Sequence, residues 1–377
     1  MTDLDQLLPL WRDLKASGVE YVLGTVVAVE GSGYRKPGAR MLLASDGRRA
    51  GTISGGCLEG EVARKAFWLT ENGPVVRRYS TRVEDGDVPF GMGCGGVVHV
   101  LLERSATAHA LLERLSEAFE QRLPMAVATV IQGIGIGERG YFPASASELA
   151  NSDHDGRLSE LAKQAFEEQR SFSTSLYSED REAPNAWAEW VPARTGLFVF
   201  GAGDDAIPLV RVARQLGWYV AVADGRTNLV NRARFPEAHK LYSLARERFE
   251  DGIFRPTDAA VLMTHSLEQD GEGLRILLSE DLGYVGVLGP RRRTAELLFT
   301  IAQETISVED EAAQQAVEWL GQIHAPIGLD LGGDTPAEIA VSIIAEVQQT
   351  RYRTTGRALR EISAYKKDRL ILSTPVI

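Results

Sequence analysis

One stretch constrains the fold of this chain more than any other. In LFVFGAGDDAIPLVRVARQLGWYVAVADGR, residues 197–226, an apolar run meets a glycine turn. A helical pattern follows, and then a second apolar run that ends in an acid. Continuous apolar runs separated by helices belong to strands buried on both faces, the condition of a parallel sheet. AAVLMTHS and YVGVLGPRRR are further short apolar runs that end in polar residues. The expected fold from Gly196 onward is therefore α/β, a Rossmann-like, doubly wound parallel sheet.

Within the turn, Gly201 and Gly203 take the first two positions of the dinucleotide fingerprint, and Ala206 takes the third. The glycines allow a tight turn and close approach of backbone to phosphate, and the next helix offers unpaired N–H groups. Asp224 stands about 20 residues on, where an acid can bind a ribose hydroxyl, with Arg226 just beyond it. Asp204 and Asp205 suit the helix dipole but oppose a pyrophosphate. Two readings stay open: a nucleotide site for NAD(P) or a relative, and a Rossmann turn that binds none.

Ligands of such sheets sit at the carboxyl ends of the strands. Those ends carry His265 beside Thr264, and Gly289 ahead of Arg291, Arg292 and Arg293. Basic residues at a helix start oppose its dipole, and one or two of these arginines can fork onto phosphate. Thr335, Pro336 and Glu338 read as N-cap, N1 and N3 of a helix with a buried stripe at Ile339, Ala340, Ile343, Ile344 and Val347.

The first half reads as an α+β domain over residues 1–132. It has a helix at 5–17, strands at 21–30 and 39–45 with SDGR (45–48) a hairpin turn after them, and a helix from about Leu58 to Leu69. Strands at VVRRYST, GVVHVLLE and MAVATVIQ and a helix over 106–121 complete it. Residues 133–195 read as an irregular connection holding one helix, at 158–169, and 196–350 as the Rossmann-like domain. The tail 351–377 has seven Lys or Arg against two acids, so it carries +5 where the rest of the chain carries −16.

Three glycine-rich loops stand out in the first half. GSGYRKPGARM (31–41) carries Arg35, Lys36 and Arg40, and glycine backbone with cations is what an anion cradle needs. GTISGGCLEGE (51–61) brings Gly55 and Gly56 to a helix start at Cys57. A thiol there is acidified by the N–H groups and dipole, with Glu59 and Glu61 working against it. GMGCGG (91–96) holds Cys94 between small neighbours. An inert thiol remains the alternative for each cysteine.

Composition excludes several classes. Two cysteines build no disulfide framework and suit reduced thiols, hence a cytoplasmic setting. A net charge of −11 argues against general nucleic-acid binding. The six histidines and two cysteines show no zinc-site spacing. No apolar run approaches the ~18 residues of a membrane helix, and the acidic N-terminus is unlike a signal peptide.

Together the three glycine loops, and VFGAGDDAIPLVRVARQLGW, VLMTHSLEQD, YVGVLGPRRR and PIGLDLGGDTPAEIAVSIIAE after them, resemble the XdhC/CoxI family. These are accessory factors of xanthine dehydrogenase and related molybdenum hydroxylases. The resemblance covers roughly residues 20–105 and 196–350, with the motifs in family order. It implies a chaperone that binds molybdenum cofactor (molybdopterin), protects it while an oxo ligand is exchanged for sulfur, and hands it to the apo-hydroxylase. The implied partners are that hydroxylase and a cysteine desulfurase, and the implied assembly is a homodimer. Cys57 or Cys94 would contact molybdenum or relay sulfur, and the basic residues would take the phosphate. The chain departs from the family at Tyr34, where proline is common, and at Asp204, where histidine is common. An NAD(P)-dependent oxidoreductase and a non-catalytic nucleotide-binding scaffold are the competing functions, although no Tyr-x-x-x-Lys dyad follows the turn.

Overall fold

The protein is described here from a computed structural model covering residues 4–31, 35–80, 96–143, 156–176 and 185–362. Two compact units divide it, Met1–Ala193 and Arg194–Ile377.

The first unit is built on a five-stranded antiparallel sheet. Its strands are β1 (Tyr21–Glu30), β2 (Arg40–Ala44), β3 (Arg49–Gly51), β4 (Val75–Ser80) and β5 (Val97–Arg104), in the order β3-β2-β1-β5-β4. Alternation divides β1 between the two faces of the sheet. Val22 and Val26 pack under helix α2 (Cys57–Leu69), against Leu58, Val62 and Ala66. Each fully buried Leu or Val there contributes about 1.5–3 kcal/mol. Tyr21 and Leu23 point the other way, into a core shared with α1 (Leu4–Ser17) and α3 (Ser105–Gln121).

The described residues between 133 and 195 hold more regular structure than their sequence suggests. They supply β7 (Arg139–Phe142), helix α4 (Arg157–Glu167), β8 (Phe172–Ser175) and β9 (Asn185–Val191). With β6 (Met125–Val130) these strands make a second antiparallel sheet, β7-β6-β9-β8. Its outer face is alanine-rich, Ala126, Ala128, Ala186 and Ala188, and α4 lies on it through Leu158, Ala162 and Ala165. Its inner face joins the first sheet through Met125, Val127 and Val191 and through two buried ion pairs, Arg40–Glu189 and Arg139–Glu103.

The second unit is a parallel sheet of β10 (Gly196–Phe200), β11 (Tyr219–Asp224), β12 (Lys240–Ser243), β13 (Ala259–Leu262) and β14 (Tyr284–Val287), ordered β12-β11-β10-β13-β14. Helices α5 (Ala206–Gln215) and α9 (Pro336–Tyr352) cover one face. Helices α6 (Leu267–Leu277), α7 (Arg291–Gln303) and α8 (Glu309–Gln322) cover the other. This is the expected doubly wound arrangement, and strand order reverses between β10 and β13. The capping box at Thr335 and Glu338 is formed, with Pro336 at the first helical position. Among the described residues no helix is long and apolar enough to cross a membrane.

Candidate functional site

Strand register gathers the glycine loops of the first unit. Glu30 at the end of β1 lies opposite Val97 at the start of β5, and Ser80 at the end of β4 lies opposite the same Val97. Gly51, ending β3, pairs with Met41, the second residue of β2. The backbone therefore leaves or enters the same end of one sheet at Gly31, Arg40, Gly51, Ser80 and Gly96. All three glycine-rich segments are anchored there, although 32–34 and 91–95, with Cys94, lie outside the described residues.

Local chemistry explains the turn into α2. Gly51 has φ +77°, and a Cβ there would stand 2.3 Å from the Arg40 carbonyl oxygen, so no side chain fits. Ser54 then caps the helix from outside it: its Oγ accepts from the backbone N–H of Gly56 and of Leu58, each at 3.2 Å. Glu59 reaches back from the first turn and accepts from the N–H groups of Ile53 and Ser54, at 3.1 and 2.7 Å, and from the Ser54 hydroxyl. Burial favours its neutral form, but the Ser54 hydroxyl and the backbone donors outweigh that and hold the carboxyl below its usual range. Gly55 and Gly56 are exposed, and Gly56 takes φ +113° into open space. Cys57 follows as the first residue of α2, its side chain outside what is described. Glu61, expected to act on that thiol, pairs with Lys65 at 2.9 Å.

The three cations of the first loop separate. Lys36 is exposed and Arg35 half-buried. Arg40, expected among the anion-binding cations of this loop, is instead buried and paired within the fold. It is 1% exposed, and its guanidinium forks onto Glu189, which is 3% exposed. It also donates to the Gly38 carbonyl at 3.0 Å. Neither Glu189 nor the second pair, Glu103 with Arg139, was visible as a partner in the sequence. Arg40 and Glu189 are 149 residues apart, and no local pattern joins them.

At the Rossmann turn the fingerprint residues are largely consumed by the fold. Gly201 has φ +125°, and a Cβ on it would lie 2.5 Å from the Met263 carbonyl oxygen. Asp224, expected to take a ribose hydroxyl, is buried and accepts from the Ala202 N–H at 2.7 Å, tying the turn to β11. It accepts from the Arg226 backbone at 2.8 Å and is clamped by that guanidinium at 2.7 and 3.0 Å. Burial again favours the neutral acid, and the Arg226 and Ala202 donors outweigh it, holding the carboxyl low. The Asp224 carboxylate is thus occupied on both oxygens, while the Arg226 side chain stays 43% exposed. Asp204 pairs with Arg234 at 2.7 Å, and Arg234 also donates to the Ala202 carbonyl at 3.0 Å. Gly203 sits beside the Asp205 carboxylate.

His265 behaves differently. It lies just beyond β13, 63% exposed, with φ +58°, a left-handed conformation uncommon for any residue but glycine. Its Nε2 is 2.8 Å from Asp205 Oδ2, so the pair spans the point where strand order reverses. The arginines at the start of α7 diverge. Arg291 donates to the Ala325 carbonyl at 3.2 Å, Arg292 is 90% exposed and pairs with Glu296 at 2.7 Å, and Arg293 pairs with buried Asp270. Among the described residues no group of three or more His, Cys, Asp or Glu side chains could hold a metal ion.

Family models match in two places: the XdhC Rossmann domain over residues 197–347, and the XdhC and CoxI family over residues 14–80. A Bacillus subtilis protein named for a probable role as one of the subunits of xanthine dehydrogenase is 33% identical over 339 residues, 89% of this chain and 94% of its own. The Escherichia coli molybdenum cofactor insertion chaperone PaoD is 35% identical over 111 residues, 29% of this chain and 34% of its own. A crystal structure described as a xanthine dehydrogenase from Bacillus halodurans superposes with a TM-score of 0.70 and 28% identity, covering 95% of this chain and 98% of that one.

Proposed function

We propose that this chain, which belongs to the XdhC and CoxI family, is an accessory factor that carries molybdenum cofactor as cargo. It would deliver the cofactor to a xanthine dehydrogenase-type hydroxylase. The observation that carries the reading is the gathering of three glycine-rich segments at one end of the first sheet. The relatives named for xanthine dehydrogenase and for cofactor insertion support it.

The residues suit such a cargo. Molybdenum cofactor is a pterin dithiolene that bears a phosphate. Exposed backbone at Gly55 and Gly56, the start of α2 and the Lys36 ammonium make an anion-attracting corner. Cys57 and Cys94 supply soft sulfur for molybdenum or for a sulfur relay. On this reading a cysteine desulfurase is the sulfur donor, two copies of the chain assemble, and the work is done in the cytoplasm. The nicotinamide reading of the second unit has less support. Its acid is clamped by Arg226, and Asp204 and Asp205 place carboxylates where a pyrophosphate would sit.

The test is purification of this chain after co-expression with its hydroxylase, followed by molybdenum and pterin analysis. Both should accompany the chain, and C57S or C94S should lower the molybdenum content. A wild-type protein free of both, or one that binds NADH with turnover of a substrate, would sink the reading.

A further inference from the structure

A groove of about 190 Å³ opens at one corner of the second unit, where the end of α6, the start of β14 and helix α8 meet. Its apolar wall is made by Leu277, Leu278 and Leu282, by Val285 of the edge strand β14, and by Trp319 and Ile323. Leu278, Leu282, Val285 and Trp319 are half-buried, so part of this wall still meets water. The volume falls below the roughly 300–1,000 Å³ of small-molecule sites. It suits a few aliphatic side chains better than a cofactor.

The rim of the groove is acidic in a place where acid is unfavourable. Glu280 lines the groove and Asp281 follows it, both exposed and just beyond Leu278, the C-cap of α6. The C-terminus of a helix carries about half a negative charge and favours cations. Arg275, the basic residue of that last turn, is drawn off by Glu304 at 2.9 Å. Among the described residues neither Glu280 nor Asp281 is paired with a cation. The corner therefore calls for an occupant that is apolar and basic together.

The chain itself holds such a segment. Residues 363–377, SAYKKDRLILSTPVI, lie outside the described residues. In them Lys366, Lys367 and Arg369, against Asp368 alone, run directly into Leu370, Ile371 and Leu372. The chain before them leads towards the groove. Beyond α9 it folds back, and a Cβ on Gly356 would stand 3.4 Å from the Gln349 side chain. Three residues earlier in α9, Glu346 accepts from the Tyr284 hydroxyl at 2.5 Å, and Tyr284 belongs to the groove wall. His324, next to Ile323, stacks on the same ring with centroids 4.3 Å apart. From Ile362 to Leu370 is a further eight residues, a reach of up to about 26 Å at about 3.3 Å each.

We propose that residues 366–372 dock on this corner of their own chain. Leu370 and Leu372 enter the groove, and Lys366, Lys367 and Arg369 lie against Glu280, Asp281 and the end of α6. In an extended segment Leu370 and Leu372 share one face, which lets both enter while Ile371 points away.

The experiment is amide hydrogen exchange of the full chain, followed by mass spectrometry at widely separated protein concentrations. Amides at 370–372, and those of the groove peptide 278–283, should exchange at least tenfold more slowly in the wild type than in L370D with L372D. E280K with D281K should speed exchange in both places. Adding K366E, K367E and R369E to that pair should restore slow exchange, which a merely structural effect of the lysines would not do. Melting temperatures report whether each variant folds, and because the two sets of substitutions lie on opposite partners, loss of the fold in one leaves the other to decide. Wild-type amides at 370–372 that exchange at the unprotected rate overturn the docking, as does a groove peptide indifferent to L370D with L372D. Charge reversals that change neither rate overturn the placement on the acidic rim. Protection that grows with protein concentration gives the groove to the same segment of a second copy and overturns docking within one chain.

Discussion

Replacing Arg40 by methionine separates its two possible roles. The guanidinium forks onto Glu189 between the two sheets, and both side chains are almost wholly buried. Removing one partner of a buried pair strands the other charge and costs about 3–5 kcal/mol. The Arg139 guanidinium also feels the Glu189 charge and softens the loss, which puts the expected figure near 3 kcal/mol. For a unit of this size each kcal/mol shifts the melting temperature by about 2–4 °C, so R40M should melt roughly 6–12 °C lower by calorimetry. Substituting both partners, R40M with E189L, removes the stranded carboxylate and should recover most of that loss. Cofactor content of any folded fraction should stay near wild type. The reasoning fails if R40M melts within 2 °C of wild type while its molybdenum and pterin content collapses. Arg40 would then be a ligand, and its pairing with Glu189 incidental.

Three further outcomes follow from the hydrogen bonds. D224A leaves the Ala202 N–H without its acceptor and should cost about 1–3 kcal/mol, while D224N, which keeps an acceptor there, should cost less; calorimetry of the second unit distinguishes them. S54A removes the cap of α2 and should cost about 1 kcal/mol, read as a lower midpoint in urea at unchanged slope. His239 is pushed down to about 3, first by burial and then by the charges of Arg194 and Arg214, and its Nδ1 accepts from the Val220 N–H. A histidine neutral in the fold but protonated when unfolded contributes stability that is complete above pH 6.5 and lost as pH falls from there toward 3. H239Q should flatten the pH dependence of the melting temperature in that window, and an unchanged slope would refute the assignment.

How much was legible in the sequence depended on how far each signal reached. Strand β1 was readable to the residue because it is a nearly continuous run of strand-forming apolar residues bounded by glycines at Gly18 and Gly31. The parallel sheet was readable because β10 and β13 are apolar throughout, as strands covered on both faces must be. The strands that pair with β6 in the second sheet of the first unit were missed for a physical reason. Ala186 and Ala188 meet Ala162 and Ala165, so that face gains its burial from small residues with little hydrophobic signal. The inward face of the same strand carries Glu189, a charge that masks the period. Its neutralising arginine comes from a loop read as an anion cradle, and only the folded chain brings the two together. The convergence of the glycine loops was likewise out of reach, because it depends on strand order and not on any one loop.

The Rossmann turn shows why a fingerprint match leaves the ligand open. Gly201 is demanded by the Met263 carbonyl and by a positive φ, both of which are properties of strand–turn–helix packing. The acid about 20 residues on satisfies the turn itself, through the Ala202 N–H, and leaves no lone pair facing a ribose without first releasing Arg226. The spacing G-x-G-x-x-A with a distant acid therefore encodes close approach of β10, β11 and α5 even where no dinucleotide is held. A phosphate enters such a turn only if the first N–H groups of the helix meet no competing negative charge. Here Asp205 stands at that position and points its carboxylate at His265. What the strand reversal presents to solvent is thus an imidazole oriented by a carboxylate, on backbone held at φ +58°. Strain of that kind persists only where the surrounding contacts enforce it. The residues on either side of it are tied together and to a buried acid: the Ser266 N–H donates to Thr264 Oγ1 at 3.1 Å, and that hydroxyl donates to Asp270 at 2.6 Å.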